Sequence, residues 1–355
     1  MSQLSPSSAT LVPTGIAPLP VLGLLKVHGP EAEAFLQAQL TNDVAGLEPC
    51  LARLAGYCSV KGRLAASFWI WRDAADPPVY WLACSRDIAA AVAKRLAMFV
   101  LRAKVRVEDA SEAFALVGLV AADADPLPVA QPVSAAEPVL RVTLPEVVIG
   151  AGQAEALERA GFVPGARERV VRGLVALPAA DLDDVLARAG EAVIHQDDWL
   201  RLEALSGIPR IDAGNQDLFV PQMVNFELVQ GVSFRKGCYP GQEVVARTQY
   251  LGKLKRRMYL AVGEGALPAS GTDVTTDSDV STEPVGQVVL AAALPGAERY
   301  LVLFEARIDA AGVPWEALED AGGAAASLRI GDGRLTRLPL PYPVPAPAPA
   351  NRPQR

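Results

Sequence analysis

One stretch of the sequence concentrates reactive chemistry: Gly231 to Arg247, GVSFRKGCYPGQEVVAR. Pro240 suits the first turn of a helix, Glu243 falls within that turn, and Val244, Val245 and Ala246 continue with packing residues. The spacing therefore predicts a helix starting at Tyr239 or Pro240. Cys238 would then stand at the helix N-terminus, where the dipole and the neighbouring Arg235 and Lys236 favour a thiolate, the nucleophilic and metal-binding form of cysteine. Gly237 and Gly241 permit a tight backbone and the close approach of a ligand. The competing reading is a small buried thiol beside glycines that only shape a turn; the neighbouring cations favour the chemical one.

Other candidate sites are weaker. GAGQAE at Gly150 to Glu155 follows a strand-like run but has Glu155 where a dinucleotide fingerprint needs its third glycine. His28 and His195, the two histidines of the chain, lie far apart in sequence, so neither a zinc site nor a Ser-His-Asp hydrolase is expected. The basic run Lys253, Lys255, Arg256, Arg257 could face an anionic partner, though a solvated strand end explains it as well.

The elements that must position Cys238 follow from periodicity. Val21 to His28 reads as a strand and Pro30 to Leu40 as a helix. Leu51 to Val60 and Leu64 to Trp71 form a hairpin about Lys61-Gly62-Arg63, followed by a strand at Val79 to Cys84, a helix at Ile88 to Leu101 and a strand at Val105 to Glu108. Ala121 to Pro138, rich in Ala, Pro and Asp, reads as a linker. Strands at Val139 to Leu144, Val147 to Ile149 and Val170 to Leu177 then mix with helices near Ala154 to Ala160, Asp181 to Ala189 and Asp197 to Leu205. From Lys253 short alternating runs (Arg257 to Val262, Val285 to Ala291, Arg299 to Ala306) indicate a small barrel or sandwich. The Pro/Ala segment from Pro339 is expected to stay extended and mobile.

The 355 residues exceed what one core accommodates, so two or three domains are expected. A net charge of −7 offers no overall positive field for a phosphate backbone, which argues against bulk nucleic-acid binding while leaving local basic patches open. Four cysteines without a CxxC pair suit free thiols in a reducing compartment. Met1 to Pro20 lacks the basic start of a signal peptide, and no run of about 18 uncharged apolar residues occurs, so a cytoplasmic, soluble protein without a membrane span is expected.

Lys236 to Glu243, KGCYPGQE, resembles the K-G-C-Y-x-G-Q-E signature of the YgfZ family, sister to the T-protein of glycine cleavage. FLQAQLTNDV (Phe35 to Val44), YCSVKGRL (Tyr57 to Leu64), SGIPRI (Ser206 to Ile211) and FVPQMVNFE (Phe219 to Glu227) are similar to further family blocks, in the expected order. The resemblance implies an α+β, GcvT-like fold: two α+β (ferredoxin-like) domains plus a C-terminal β-barrel around a central folate pocket. Its expected divisions are a flexible N-terminus at 1–20, domains at 21–120 and 139–250, a barrel at 251–338 and a disordered tail at 339–355.

The same resemblance implies a folate-binding accessory protein, with tetrahydrofolate or a derivative as cofactor, that supports assembly or repair of iron–sulfur enzymes, tRNA-modifying ones included. Folate, and iron–sulfur enzymes or cluster carriers, are the partners it implies. T-protein relatives carry an acid where Cys238 stands, so Cys238 marks the iron–sulfur branch and is the candidate catalytic residue; whether its thiol reacts, touches a metal or shapes the pocket stays open. Trp199 corresponds to a family tryptophan implicated in folate binding, and an indole can stack on a pteridine. Leu205 stands where the family has a pteridine-binding Glu, leaving Glu203 as the nearby carboxylate, and Leu22 replaces a second tryptophan. Gln222, Asn225, Lys236, Tyr239 and Arg247 are the further cofactor contacts implied; no metal site is. The alternatives are a tetrahydrofolate-dependent aminomethyltransferase-like one-carbon transferase and a non-catalytic scaffold.

Overall fold

Runs of alternating apolar residues pair into two sheets and a barrel in the computed structural model, which describes residues 14–122, 140–160, 169–250, 254–276, 284–295, 298–308 and 328–345. The chain opens with β1 (Gly15–Pro18) and β2 (Leu22–His28), then α1 (Ala32–Gln39), the hairpin β3 (Arg53–Cys58) and β4 (Leu64–Arg72), β5 (Tyr80–Ser85), α2 (Arg86–Ala97) and β6 (Arg106–Asp109). An antiparallel sheet of order β3-β4-β5-β2-β6 results. Pro30 lies ahead of α1 rather than inside it.

A second sheet gathers β7 (Phe114–Ala122), β8 (Leu140–Thr143), β9 (Val147–Val148) and β10 (Arg169–Pro178), with α3 (Ala151–Arg159), α4 (Leu182–Ala189) and α5 (Gln196–Leu205) around them. Its first strand is β1, paired antiparallel with β7 from Gly15↔Val120 to Pro18↔Val117. Residues 15–18 are thus a strand and not part of a flexible N-terminus. The pairing comes from a partner about 100 residues away, a contact that no local pattern reveals. β7, expected in the first domain, likewise belongs to this second sheet. The linker expected at 121–138 lies almost wholly outside the described residues.

Period-two alternation gives β7 two working faces. Val117, Leu119 and Ala121 pack with Val175, Leu177 and Val185 under α4. Leu116 and Val120 face the other way and join the main core with α5 and the first sheet.

Helix α6 (Gln242–Tyr250) leads into a closed antiparallel barrel of β11 (Arg256–Glu264), β12 (Asp273–Thr276), β13 (Gly286–Ala293), β14 (Arg299–Arg307), β15 (Leu328–Ile330) and β16 (Gly333–Leu338). Tyr259, Ala261, Val302 and Phe304 fill it, whereas Met258, Leu260, Leu301 and Leu303 on the opposite face pack into the central core. Two α+β layers and a C-terminal β-barrel make up the fold, as expected. No helix among the described residues is long and apolar enough to cross a membrane.

The segment after the barrel departs from expectation. Pro339 O accepts from Gln153 Nε2 (3.3 Å), Leu340 packs on the core, and the Tyr342 hydroxyl donates to Gly207 O (2.8 Å). Residues 339–342 are docked because Leu340 and Tyr342 interrupt the Pro/Ala composition with two side chains worth burying. The tail beyond 345 lies outside the described residues.

Candidate functional site

The Cys238 loop is held by the end of α1. Thr41 Oγ1 donates to Gly231 O (2.6 Å) and accepts from Gly56 N (2.7 Å), while Ser233 N donates to Thr41 O (3.0 Å). Asn42 Nδ2 donates to Gln230 O (2.6 Å) and Leu54 O (2.7 Å). Lys236 Nζ donates to Leu40 O (2.5 Å) and to Gln37 O, carbonyls left unpaired by the end of the helix. The similarity of the LTNDV block to its family counterpart thus has a mechanical meaning: it is the clamp for the KGCYPGQE loop.

Lys236 is half-buried, and burial lowers it to about 8, against the pull of Asp43 and Cys238. Its ammonium also lies 5.1 Å from the centroid of the Tyr239 ring. Tyr239 is buried, and burial raises its phenol above the ordinary range.

α6 begins at Gln242, four residues beyond Cys238, so the expected helix start at Tyr239 or Pro240 is corrected. Gly241 at φ +78° turns the chain first, and a residue in that left-handed conformation cannot be part of a right-handed helix. Cys238 sits outside the first turn, where the helix dipole falls off. It is exposed, as is Cys50; Cys58 and Cys84 are buried, and burial pushes the Cys58 thiol up to about 12.

A second group forms about α5. Trp199 is fully buried; a Cβ on Gly118 would lie 2.7 Å from Cζ3 of its ring and nearer still to Cε3, and the Arg172 guanidinium sits 5.5 Å from the ring centroid. Trp199 therefore does not present the open stacking face expected of it. Its indole Nε1 donates to Glu203 Oε1 (3.0 Å), one helical turn away. Glu203 Oε2 is 3.2 Å from Arg210 Nη1, an ion pair without hydrogen-bond alignment. Glu203 and Arg210 line a cleft with Leu22, Ser67, Trp69 and Cys84. Arg172 is wholly buried behind Trp199, has no hydrogen-bond partner on any guanidinium nitrogen, and is lowered to about 10 by burial against the pull of Glu203.

Gln222 and Asn225 form a third group that ties the motif region to the barrel. Gln222 Nε2 donates to Val245 O (2.9 Å) and Asn225 Nδ2 to Met258 O (3.0 Å). Arg257 Nη1 donates to Gln222 O (3.0 Å) and Glu227 Oε1 (2.5 Å), and Arg256 pairs with buried Glu305. Arg256 and Arg257 of the basic run are thus consumed in structural ion pairs, while Lys253 lies outside the described residues. Arg247 is exposed on α6.

Of the residues expected to bind a cofactor, Trp199 and Glu203 are brought together, with Glu203 on the cleft. Lys236 and Tyr239 stay with Cys238, and Gln222 and Asn225 serve as clamps. Sequence reasoning missed Trp69, Arg172 and Arg210. Arg172 had a signal, a lone charge within the apolar run Val170 to Leu177, and Arg210 stood within the SGIPRI block.

No protein-family model matches the chain. It is 30% identical over 294 residues to the tRNA-modifying protein YgfZ of Klebsiella pneumoniae, covering 81% of this chain and 84% of that one. The protein of the same name from Edwardsiella ictaluri is 32% identical over 286 residues, covering 78% of this chain and 80% of its own. Among solved structures, the glycine cleavage system aminomethyltransferase T of Bartonella henselae superposes with a TM-score of 0.60 at 14% identity, over 92% of this chain and 85% of that one. That likeness carries the GcvT-type fold. With relatives of this identity matching along most of its length, the chain belongs to the YgfZ family.

Proposed function

We propose that this chain is a folate-binding accessory protein that supports assembly or repair of iron–sulfur enzymes, those that modify tRNA among them, with tetrahydrofolate or a derivative as cofactor. The observation that carries the reading is the Glu203 cleft. A buried carboxylate with one oxygen fixed by an indole N–H keeps its second oxygen, Oε2, beside an arginine whose Nε and Nη1 lack hydrogen-bond partners. Such orphaned groups at a cleft fit a ligand that offers donors to the acid and acceptors to the arginine. The edge of a pterin does both; Trp69 and Leu22, both buried, are the apolar residues beside these groups, and the narrow cleft between them would have to open to admit a ring.

The relatives' name supports the link to tRNA modification, and the exposed Cys238 on a clamped loop supports exchange with a partner. The deciding experiment is calorimetric titration with tetrahydrofolate. Binding should appear, and Glu203→Gln should weaken it by about tenfold, the loss of one charged hydrogen bond. No heat at millimolar folate from the native protein sinks the folate reading.

A further inference from the structure

Three elements meet on the face that carries Cys238: the turn between β3 and β4, the loop before Pro240, and α6. A Cβ on Gly62 would lie 2.7 Å from Val244 Cβ, and the Phe234 and Tyr250 rings meet edge-on at 5.9 Å. Along this seam Lys61, Arg235, Cys238, Val244, Arg247 and Tyr250 are all exposed. Val244, Arg247 and Tyr250 follow one another at intervals of three, so they run along one stripe of the helix, about 4.5 Å of rise per step. Lys61 adjoins the Val244 end of that stripe and Arg235 the Tyr250 end.

Lys61, Arg235 and Arg247 form no ion pair among the described residues. Glu243 is the one acid of α6. In a chain of net charge −7, three cations without ion pairs on adjoining elements make a local positive patch suited to an anionic partner. The Tyr250 ring, 70% exposed and held by its contact with Phe234, adds a platform that charge alone does not require. Cations tracking a backbone beside an aromatic ring are how single-stranded nucleic acid is bound without reading a duplex groove. A second basic surface follows α2, at Arg102 and Lys104, where Lys104 N donates to Glu31 Oε2 (2.6 Å); an acid lies beside each surface, Glu243 being exposed on α6, so substitutions on both are needed to tell them apart.

We propose that this seam binds a looped or single-stranded segment of RNA, with phosphates on Lys61, Arg235 and Arg247 and a base on Tyr250. The proposal deepens the tRNA-linked reading above and rests on it for the choice of RNA; it makes no use of the folate cleft. The probe is an unmodified transfer RNA transcript, titrated by fluorescence anisotropy with the full chain between 50 and 200 mM KCl, roughly the range over which such contacts weaken.

Three phosphate contacts give a slope of log affinity on log salt of about −2, a loss of roughly twentyfold across that range. Arg247→Gln and Lys61→Gln should each flatten the slope by about 0.7, and Tyr250→Ala should weaken binding roughly tenfold. Arg102→Gln with Lys104→Gln should leave binding as it is. No binding at the lowest salt, wild-type behaviour in any two of the three seam variants, or equal competition by poly-L-glutamate overturns the proposal; the last would make an acidic polypeptide the occupant. Transfer RNA binding without any heat from tetrahydrofolate would sink the folate reading and leave this one standing, and the reverse result sinks this one alone.

Discussion

Gly241 rests against Gly62: a Cβ on Gly241 would lie 2.7 Å from Gly62 Cα, so the turn of the KGCYPGQE motif and the hairpin turn of the YCSVKGRL block touch backbone to backbone. Both glycines have positive φ, +78° and +69°. Gly241→Ala should therefore lower stability by about 1–3 kcal/mol through left-handed strain and the clash together. Chemical denaturation measures this; a loss under about 0.5 kcal/mol would mean the turns can part without cost.

Lys236 ties protonation to folding. In the folded chain it releases its proton near pH 8, whereas an unburied lysine holds it to 10.5. Between those values the unfolded chain binds more protons, so the contribution of this residue to stability rises with pH; below the window both states are protonated and the full cost of burying the charge persists. The stability of the native protein relative to Lys236→Met should shift in favour of the native protein from pH 8 to pH 10. Denaturation at both pH values reads it, and a constant difference would place Lys236 in water.

Alkylation of the native protein should divide the thiols by exposure. Cys238 and Cys50 should label, while Cys58 and Cys84 should wait for unfolding, being both buried and, for Cys58, held as thiol to about pH 12. Mass spectrometry of partially labelled protein resolves the order. Early modification of Cys84 would show that the cleft it lines opens in solution.

Arg172 supplies a test with the opposite sign from most core substitutions. A wholly buried guanidinium without hydrogen bonds is costly, so Arg172→Met should leave stability unchanged or raise it by about 1–4 kcal/mol. A thermal midpoint that falls instead would mean that its attraction to Glu203 outweighs desolvation.

Much of this was legible in the sequence. The β3–β4 hairpin, α2 and three of the six barrel strands, β11, β13 and β14, are written in local periodicity and turn chemistry, which depend on nearest neighbours. What depends on distant partners was not. β1 is four residues long and becomes a strand only because β7 lies beside it. Trp199 could be recognised as an aromatic of the right kind, but that Gly118 closes one side of it is a fact of packing between β7 and α5. Gln222 and Asn225 matched family positions; their clamping bonds to Val245 O and Met258 O appear only once the barrel is in place.

The membership of β1 and β7 in one sheet makes residues 22–109 an excursion out of the second layer and back. The excursion leaves and re-enters at neighbouring points, with Leu19 N bonded to Leu116 O and Ala110 N bonded to Leu24 O. On the ribosome, where a chain emerges from its N-terminus, the inner sheet has every strand it needs once Asp109 is out, while β1 waits for β7 and both wait for β10. The enclosed layer is thus free to finish before the layer that encloses it begins. Because its two ends lie together, residues 20–112 form a natural unit to excise and express alone.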